Sequence, residues 1–323
     1  MKNDYIYDIL FKEIRKKIPQ NSILVNTLIE ILSIEKDAVY RRLRREVPFT
    51  FQEIAIISKE MNISLDDLIG IGIDSTKSRP LQIKYIDYLS PSEIDYLMLD
   101  EFVNVLKFTK SYNNSEMATG TNILPLALYS GFEYLCRFYL FKWNYHYGRN
   151  PAIKYFHDIK MFTRIKDAFD ATFTESKNIA SSSFILDNRA FQLLVDDIQY
   201  FSSIRLISEE DVSQIKKELF RFLNYIESLA ISGQYDNSAN KVNFYISEVA
   251  IDTNYSYISA GNMKLSLVLA FVLNNIASLD ELNFEKMKLW FRSIIRVSNL
   301  ISVSGEKQRT VYFEAQRKII DQL

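Results

Sequence analysis

Two prolines, Pro19 and Pro48, bracket a stretch with room for two helices and one short break. Proline lacks the amide hydrogen and clashes with the preceding turn, so each one closes a helix. Inside the bracket, Leu24, Leu28, Ile31 and Leu32 recur at helical spacing, and Asn21 or Ser22 can cap the helix that carries them. Ser33-Ile34-Glu35 forms the turn. Lys36 to Arg45 then forms a second helix with Val39 and Leu43 facing inward and arginines crowding the outside. A helix, a tight turn and a basic second helix make a helix-turn-helix layout.

The flanks extend the pattern. Tyr7, Leu10, Phe11, Ile14 and Ile18 form one apolar stripe before Pro19. After Pro48, Thr50-Phe51-Gln52-Glu53 reads as a capping box, with Phe49 placed to staple onto Ile54. The helix it starts should bury Ile54, Ile57 and Met61, and Ser64 should cap a last short helix holding Leu65 and Leu68. Five short helices are therefore expected, ending near Gly70-Ile71-Gly72. We read residues 1–73 as one domain, the polar stretch 74–80 as a linker, and 81–323 as a second domain.

Charge in the first domain is local. Residues 1–72 hold 11 Lys+Arg against 11 Asp+Glu. Lys36 to Arg45 alone carries Lys36, Arg41, Arg42, Arg44 and Arg45 against Asp37, a net of +4. Lys12, Arg15, Lys16 and Lys17 form a second basic cluster. An arbitrary arginine run is usually a solvated face paired with neighbouring acids, here Glu35 and Glu46; its place in this layout favours a nucleic-acid surface.

The run resembles the lambda-repressor-like (Cro/repressor, or Xre) helix-turn-helix domains. The resemblance rests on the turn followed by Ile34, on Val39 in the second helix, and on the trailing Ile54, Ile57 and Met61-Asn62-Ile63-Ser64-Leu65-Asp66-Asp67-Leu68 pattern. Ser33 stands where glycine is usual, Ile29 where a small residue is common, Glu35 in place of a Ser or Thr cap, and Arg42 where an apolar residue is frequent. The resemblance implies a recognition helix at 36–45 lying in the DNA major groove. It implies that Lys36, Tyr40, Arg41 and Arg44 meet base edges, and that Arg42 and Arg45 on the flanks grip phosphate. Gln20, Asn21 and Ser22, at the start of the preceding helix, would donate to phosphate with the helix dipole behind them.

The remaining chain carries less chemistry. Of 323 residues, 48% are hydrophobic and 14% aromatic, with 8 Gly and 6 Pro, which favours long helices over many turns. Ser90-Pro91-Ser92-Glu93 starts a helix whose Ile94, Met98, Phe102, Val105, Thr109 and Tyr112 form a near-heptad face, either a dimer seam or, more in keeping with its length, a face packed on its own domain. Pro125 opens an aromatic helix to Tyr147, apolar on enough sides to be central in a core. Further helices are expected over 153–175, 188–203, 208–233, 263–278, 284–301 and from Glu306 onward. Val242, Phe244 and Ile246 alternate, as do Tyr255 and Tyr257, which admits one small β-hairpin in 241–257. The expected fold is thus mainly α: a five-helix DNA-binding domain and a larger all-helical domain.

Enzyme chemistry is not visible. His146 and His157 lack second ligands at metal spacing, and Cys136 sits in the aromatic helix as a core thiol. No phosphate-cradling glycine loop appears. No cofactor or metal is expected. Ile123 to Trp143 is interrupted by Glu133, Arg137 and Lys142, and Leu265 to Ala277 is too short to span a bilayer, so a cytoplasmic protein without membrane contact is expected. The leading expectation is a sequence-specific transcription regulator that binds double-stranded DNA as a homodimer, with the second domain dimerising and sensing a peptide or small-molecule effector. The alternative is a protein-interaction adaptor whose helix-turn-helix no longer binds DNA. A tetratricopeptide sensor array is disfavoured by the lack of a 34-residue period.

Overall fold

The computed structural model describes residues 4–61, 63, 82–148, 150–236 and 238–323. The chain divides into two compact units, Met1–Pro80 and Leu81–Leu323. The last short helix expected from Ser64, its end at Gly70–Gly72 and the 74–80 linker lie outside the described residues.

In the first unit, α1 (Asp4–Lys17), α2 (Asn21–Leu32), α3 (Lys36–Leu43) and α4 (Phe51–Glu60) enclose a small core. Leu10, Ile14, Leu24, Leu28, Val39 and Ile57 are buried in it, the inward positions expected from spacing. The capping box forms: the Thr50 amide donates to Glu53 Oε2 at 2.8 Å and the Glu53 amide to Thr50 Oγ at 3.2 Å. Phe49 is buried, its ring 6.0 Å from that of Phe11. The Tyr7 hydroxyl donates to the Phe49 carbonyl at 2.9 Å, tying α1 to the start of α4.

The second unit is not all-helical. Among the described residues it is an α/β unit built on an eight-stranded mixed sheet. Its strands are β1 (Gln82–Lys84), β2 (Glu116–Thr121), β3 (Ser181–Asp187), β4 (Lys241–Ser247), β5 (Tyr255–Ala260), β6 (Met263–Ala270), β7 (Asn274–Ser278) and β8 (Ser298–Leu300). They lie in the order β1-β7-β6-β5-β2-β3-β4-β8. The central β2, β3 and β4 are parallel, and every other pairing is antiparallel. Parallel neighbours need long crossovers, which the helices supply. Between β2 and β3 run α6 (Leu126–Tyr129), α7 (Glu133–Trp143), a wide turn over Asn144–Gly148, and α8 (Thr163–Ser176); between β3 and β4 run α9 (Ala190–Ser203) and α10 (Glu209–Ser232). Together with α5 (Glu93–Thr109) and α12 (Glu306–Ile320), these helices build the main core.

α11 (Glu281–Arg296) helps form a second, smaller core, joining Phe284, Phe291 and Ile294 to Ala118, Ile185 and Tyr257 of the strands. Gly120 in β2 permits this contact, since a Cβ there would stand 3.0 Å from the Trp290 ring.

Three expectations fail for identifiable reasons. The apolar run 263–278 is the β6–β7 hairpin, since a short apolar segment reads equally as buried strand or buried helix. The alternating segments in 241–257 are strands but not one hairpin. β4 pairs with β3 and β8, β5 pairs with β2 and β6, and β2 and β3 lie between them. In 284–301 the helix stops at Arg296 and the chain turns into edge strand β8. A sheet core also excludes a purely helical repeat array.

Other expectations keep their position. Pro125 precedes the aromatic segment, which is not one helix to Tyr147 but breaks at 130–132 into α6 and α7 and ends at Trp143; Phe138, Leu140, Phe141 and Trp143 are all buried. On α5 the buried stripe is Leu99, Val103, Leu106 and Thr109, which shares only Thr109 with the expected face and otherwise lies one position round from it, and Ile94 is 64% exposed. That helix packs on α8 within its own unit. The box at its start is closed by Asp95, which accepts from the Ser92 amide at 2.8 Å and from the Ser92 hydroxyl at 2.6 Å. No helix among the described residues is long and apolar enough to cross a membrane.

The N-terminus of α7 is capped from α10. The buried Glu218 carboxylate accepts the Leu135 amide at 2.8 Å. Burial raises the Glu218 carboxyl above its ordinary value, and the backbone hydrogen bonds from Leu135 and Tyr134 only partly offset this. A raised carboxyl favours the fold below the ordinary glutamate range and loses that contribution as pH rises through the folded value. Glu218→Gln is therefore expected to flatten the pH dependence of the second unit's urea midpoint above that range. Glu218→Ala, which orphans the helix amides and opens a cavity, should cost about 2–4 kcal/mol.

Candidate nucleic-acid interface

The helix-turn-helix is formed by α2, α3 and the three residues between them. Ser33 closes α2 in the left-handed region, at φ 52° and ψ 42°. Serine thus takes a conformation that glycine adopts freely and that strains an L side chain.

α3 is shorter than the expected 36–45. It ends at Leu43, with Arg44 as the cap and Arg45 left-handed at φ 66°. The Arg45 amide donates to the Arg42 carbonyl at 3.0 Å and the Glu46 amide to the Arg41 carbonyl at 2.9 Å. These two bonds make a Schellman ending with Arg45 in the place glycine normally takes. The Arg45 side chain folds back instead of pointing outward. It pairs with Asp8, and its guanidinium lies 5.4 Å from the centroid of the Phe11 ring on α1.

Arg42 is also spent internally. Its Nε donates to Glu53 Oε2 at 3.0 Å, its Nη2 to Glu53 Oε1 at 2.7 Å and its Nη1 to the Ala38 carbonyl at 3.2 Å. The two side chains are only 15% and 13% exposed. This bidentate pair bolts α3 to the first turn of α4 and engages the Arg42 guanidinium within the unit. Burial alone would raise the Glu53 carboxyl; the hydrogen bonds from Arg42 and Thr50 outweigh it and hold the group below its ordinary value.

What remains outward is the base-edge set. Lys36, Tyr40 and Arg44 follow at four-residue steps with Arg41 beside them, an arc of about 140° on a helix turning 100° per residue. Lys36, Arg41 and Arg44 are exposed and Tyr40 is half-buried against the core. Among the described residues Lys36 has no carboxylate within ion-pair distance. Arg41 and Arg44 share one: Arg44 Nε lies 3.0 Å from Glu46 Oε1, and Arg41 Nε lies 3.9 Å from Glu46 Oε2. Asp37 sits inside the same arc.

At the other end of the motif, Gln20, Asn21 and Ser22 are exposed. Gln20 occupies the cap of α2 in an extended conformation with no side-chain cap hydrogen bond, and Leu24 is the first residue to bond back, to the Gln20 carbonyl at 3.0 Å. The amides before Leu24 therefore have no intrahelical acceptor and face outward at the positive end of the helix dipole.

The candidate interface thus consists of an exposed arc on α3 and an open N-terminus on α2. Sequence reasoning placed Arg42 and Arg45 on the outer flanks of the helix; the structure pairs them within the unit instead, with Glu53 and Asp8. It also treated Glu46 only as a generic neighbour, since an arginine in the left-handed position gives no sequence signal for the turn that places it. Among the described residues no group of His, Cys, Asp and Glu could hold a metal ion, Cys136 is buried, and both histidines are exposed. No family model, no curated protein and no solved structure matches the chain.

Two outcomes follow from this packing. Ser33→Gly relieves the left-handed strain and should raise the stability of the first unit by about 0.5–1 kcal/mol, read as a higher urea midpoint. Arg42→Ala strands the Glu53 carboxylate and should cost about 3 kcal/mol. The Glu53 contribution is fully present above the ordinary glutamate range and lost as pH falls through its depressed value. In Glu53→Gln the first unit's acid destabilisation should accordingly be shallower than in wild type.

Proposed function

We propose that the protein is a sequence-specific DNA-binding transcription regulator. The observation that carries this reading is the outward arc of Lys36, Tyr40, Arg41 and Arg44 on a short helix held by a helix-turn-helix. α3 enters the major groove, where arginine offers a guanidinium fork to guanine N7 and O6. The open amides of α2 with Gln20, Asn21 and Ser22 take the flanking phosphates.

One such unit makes too few contacts for a tight specific site, so two copies bind half-sites about 34 Å apart. The α/β unit supplies dimerisation and the sensing of a peptide or small-molecule effector. The chain acts without a catalytic step, in the cytoplasm.

A second reading, a protein-interaction adaptor with a silent helix-turn-helix, draws on one observation: Arg41, Arg42, Arg44 and Arg45 all have carboxylate partners within the unit. Selection from a pool of random duplexes across a salt series separates the two. A regulator enriches a palindromic site, and Arg41→Ala or Arg44→Ala each weakens it about tenfold or more. An adaptor enriches nothing at any salt while remaining folded.

A further inference from the structure

Glu46 has a fixed place that stability does not explain. A Schellman ending commonly carries an apolar contact between the residue after the left-handed position and the residue five before it. Here those positions are Glu46 and Arg41, so the turn sets a carboxylate against an arginine. Arg44 closes the other side, with Nε 3.0 Å from Glu46 Oε1 and Nη2 3.5 Å from Glu46 Oε2. All three side chains are about half exposed or more, at 60%, 62% and 49% for Arg41, Arg44 and Glu46. Pairs this exposed add little to folding. The backbone that places Glu46 is itself held, since left-handed Arg45 is anchored by Asp8 and the Phe11 ring.

We propose that Glu46 is the specificity-determining residue of the α3 surface: it holds Arg44 side-on through Nε and Nη2, with Arg41 at ion-pair distance beside it, in an arrangement that guanine displaces and that other base edges and phosphate do not. This inference rests on the DNA-binding reading. Guanine offers two acceptors, N7 and O6, in the geometry the guanidinium already presents to the carboxylate, so exchange of one for the other keeps the hydrogen bonds. Adenine and thymine edges offer one acceptor each, and an arginine opposite them stays with Glu46. Phosphate could compete for either arginine, but the Glu46 charge repels it. Glu46 thereby lowers binding to arbitrary duplex more than binding to the correct site.

The test uses the full chain and Glu46→Gln, which keeps shape and removes charge. Affinity is measured for the duplex enriched by wild type and for a shuffled duplex of the same composition, across a salt series, with the urea midpoint alongside. The expected result is an unchanged midpoint, tighter binding to the shuffled duplex, a salt slope steeper by about one, and a ratio of specific to non-specific affinity reduced about tenfold. An unchanged ratio, or an equal fall in both affinities, overturns the role of Glu46 while leaving DNA binding intact. Failure of wild type to bind either duplex at low salt overturns the DNA-binding reading and this inference together.

Discussion

The Arg42–Glu53 ion pair is the contact on which the display surface depends. α3 is only eight residues long, and an isolated helix of that length has little stability of its own. It is held by Val39 in the core and by a bidentate bond to α4, and these two attachments fix its rotation about its axis. A rotation by one residue would move the outward arc by about 100° and bring Arg42 to the surface in place of Arg41. A buried arginine fork tolerates no such slip, because a displaced partner would leave a charge stranded out of water.

The ends of α3 are defined as sharply as its face. Left-handed residues stand on both sides, Ser33 before it and Arg45 after it. Neither is glycine, so each position costs strain that neighbouring contacts offset. The strain at Arg45 is met by Asp8 and Phe11, which makes α1 a structural support of the basic surface. The result is a division of labour among five cations of one segment. Arg42 and Arg45 hold the scaffold, Lys36 is open, and Arg41 and Arg44 face outward beside Glu46.

Much of the first unit was legible in the sequence because its signals are local. Pro19 and Pro48 bound the motif, Thr50 and Glu53 form their box, and the inward residues follow helical spacing. The internal pairs of Arg42 and Arg45 were not legible because their partners, Glu53 and Asp8, are brought there by tertiary packing. The second unit was misread at the level of class. In its central strands Glu116–Thr121 and Ser181–Asp187, Gly120 and the serines 181–183 hide the strand signal. Its most apolar stretch, 263–278, fits a helix as well as a hairpin. Sheet topology depends on pairings between distant segments, such as β2 with β5 and β1 with β7, and no local pattern encodes them. The helices around the sheet have local caps, as at Ser208 before α10 with Gly233 after it, and those were readable.

Hydrogen exchange of the full chain, with and without a mixed-sequence duplex at low salt, tests the central claim most directly. The account predicts that the duplex slows exchange in peptides covering 20–24 and 36–46, and leaves the strands of the second unit unchanged. No slowing in those two segments under conditions where the duplex is bound, or protection confined to the α/β unit, would contradict it.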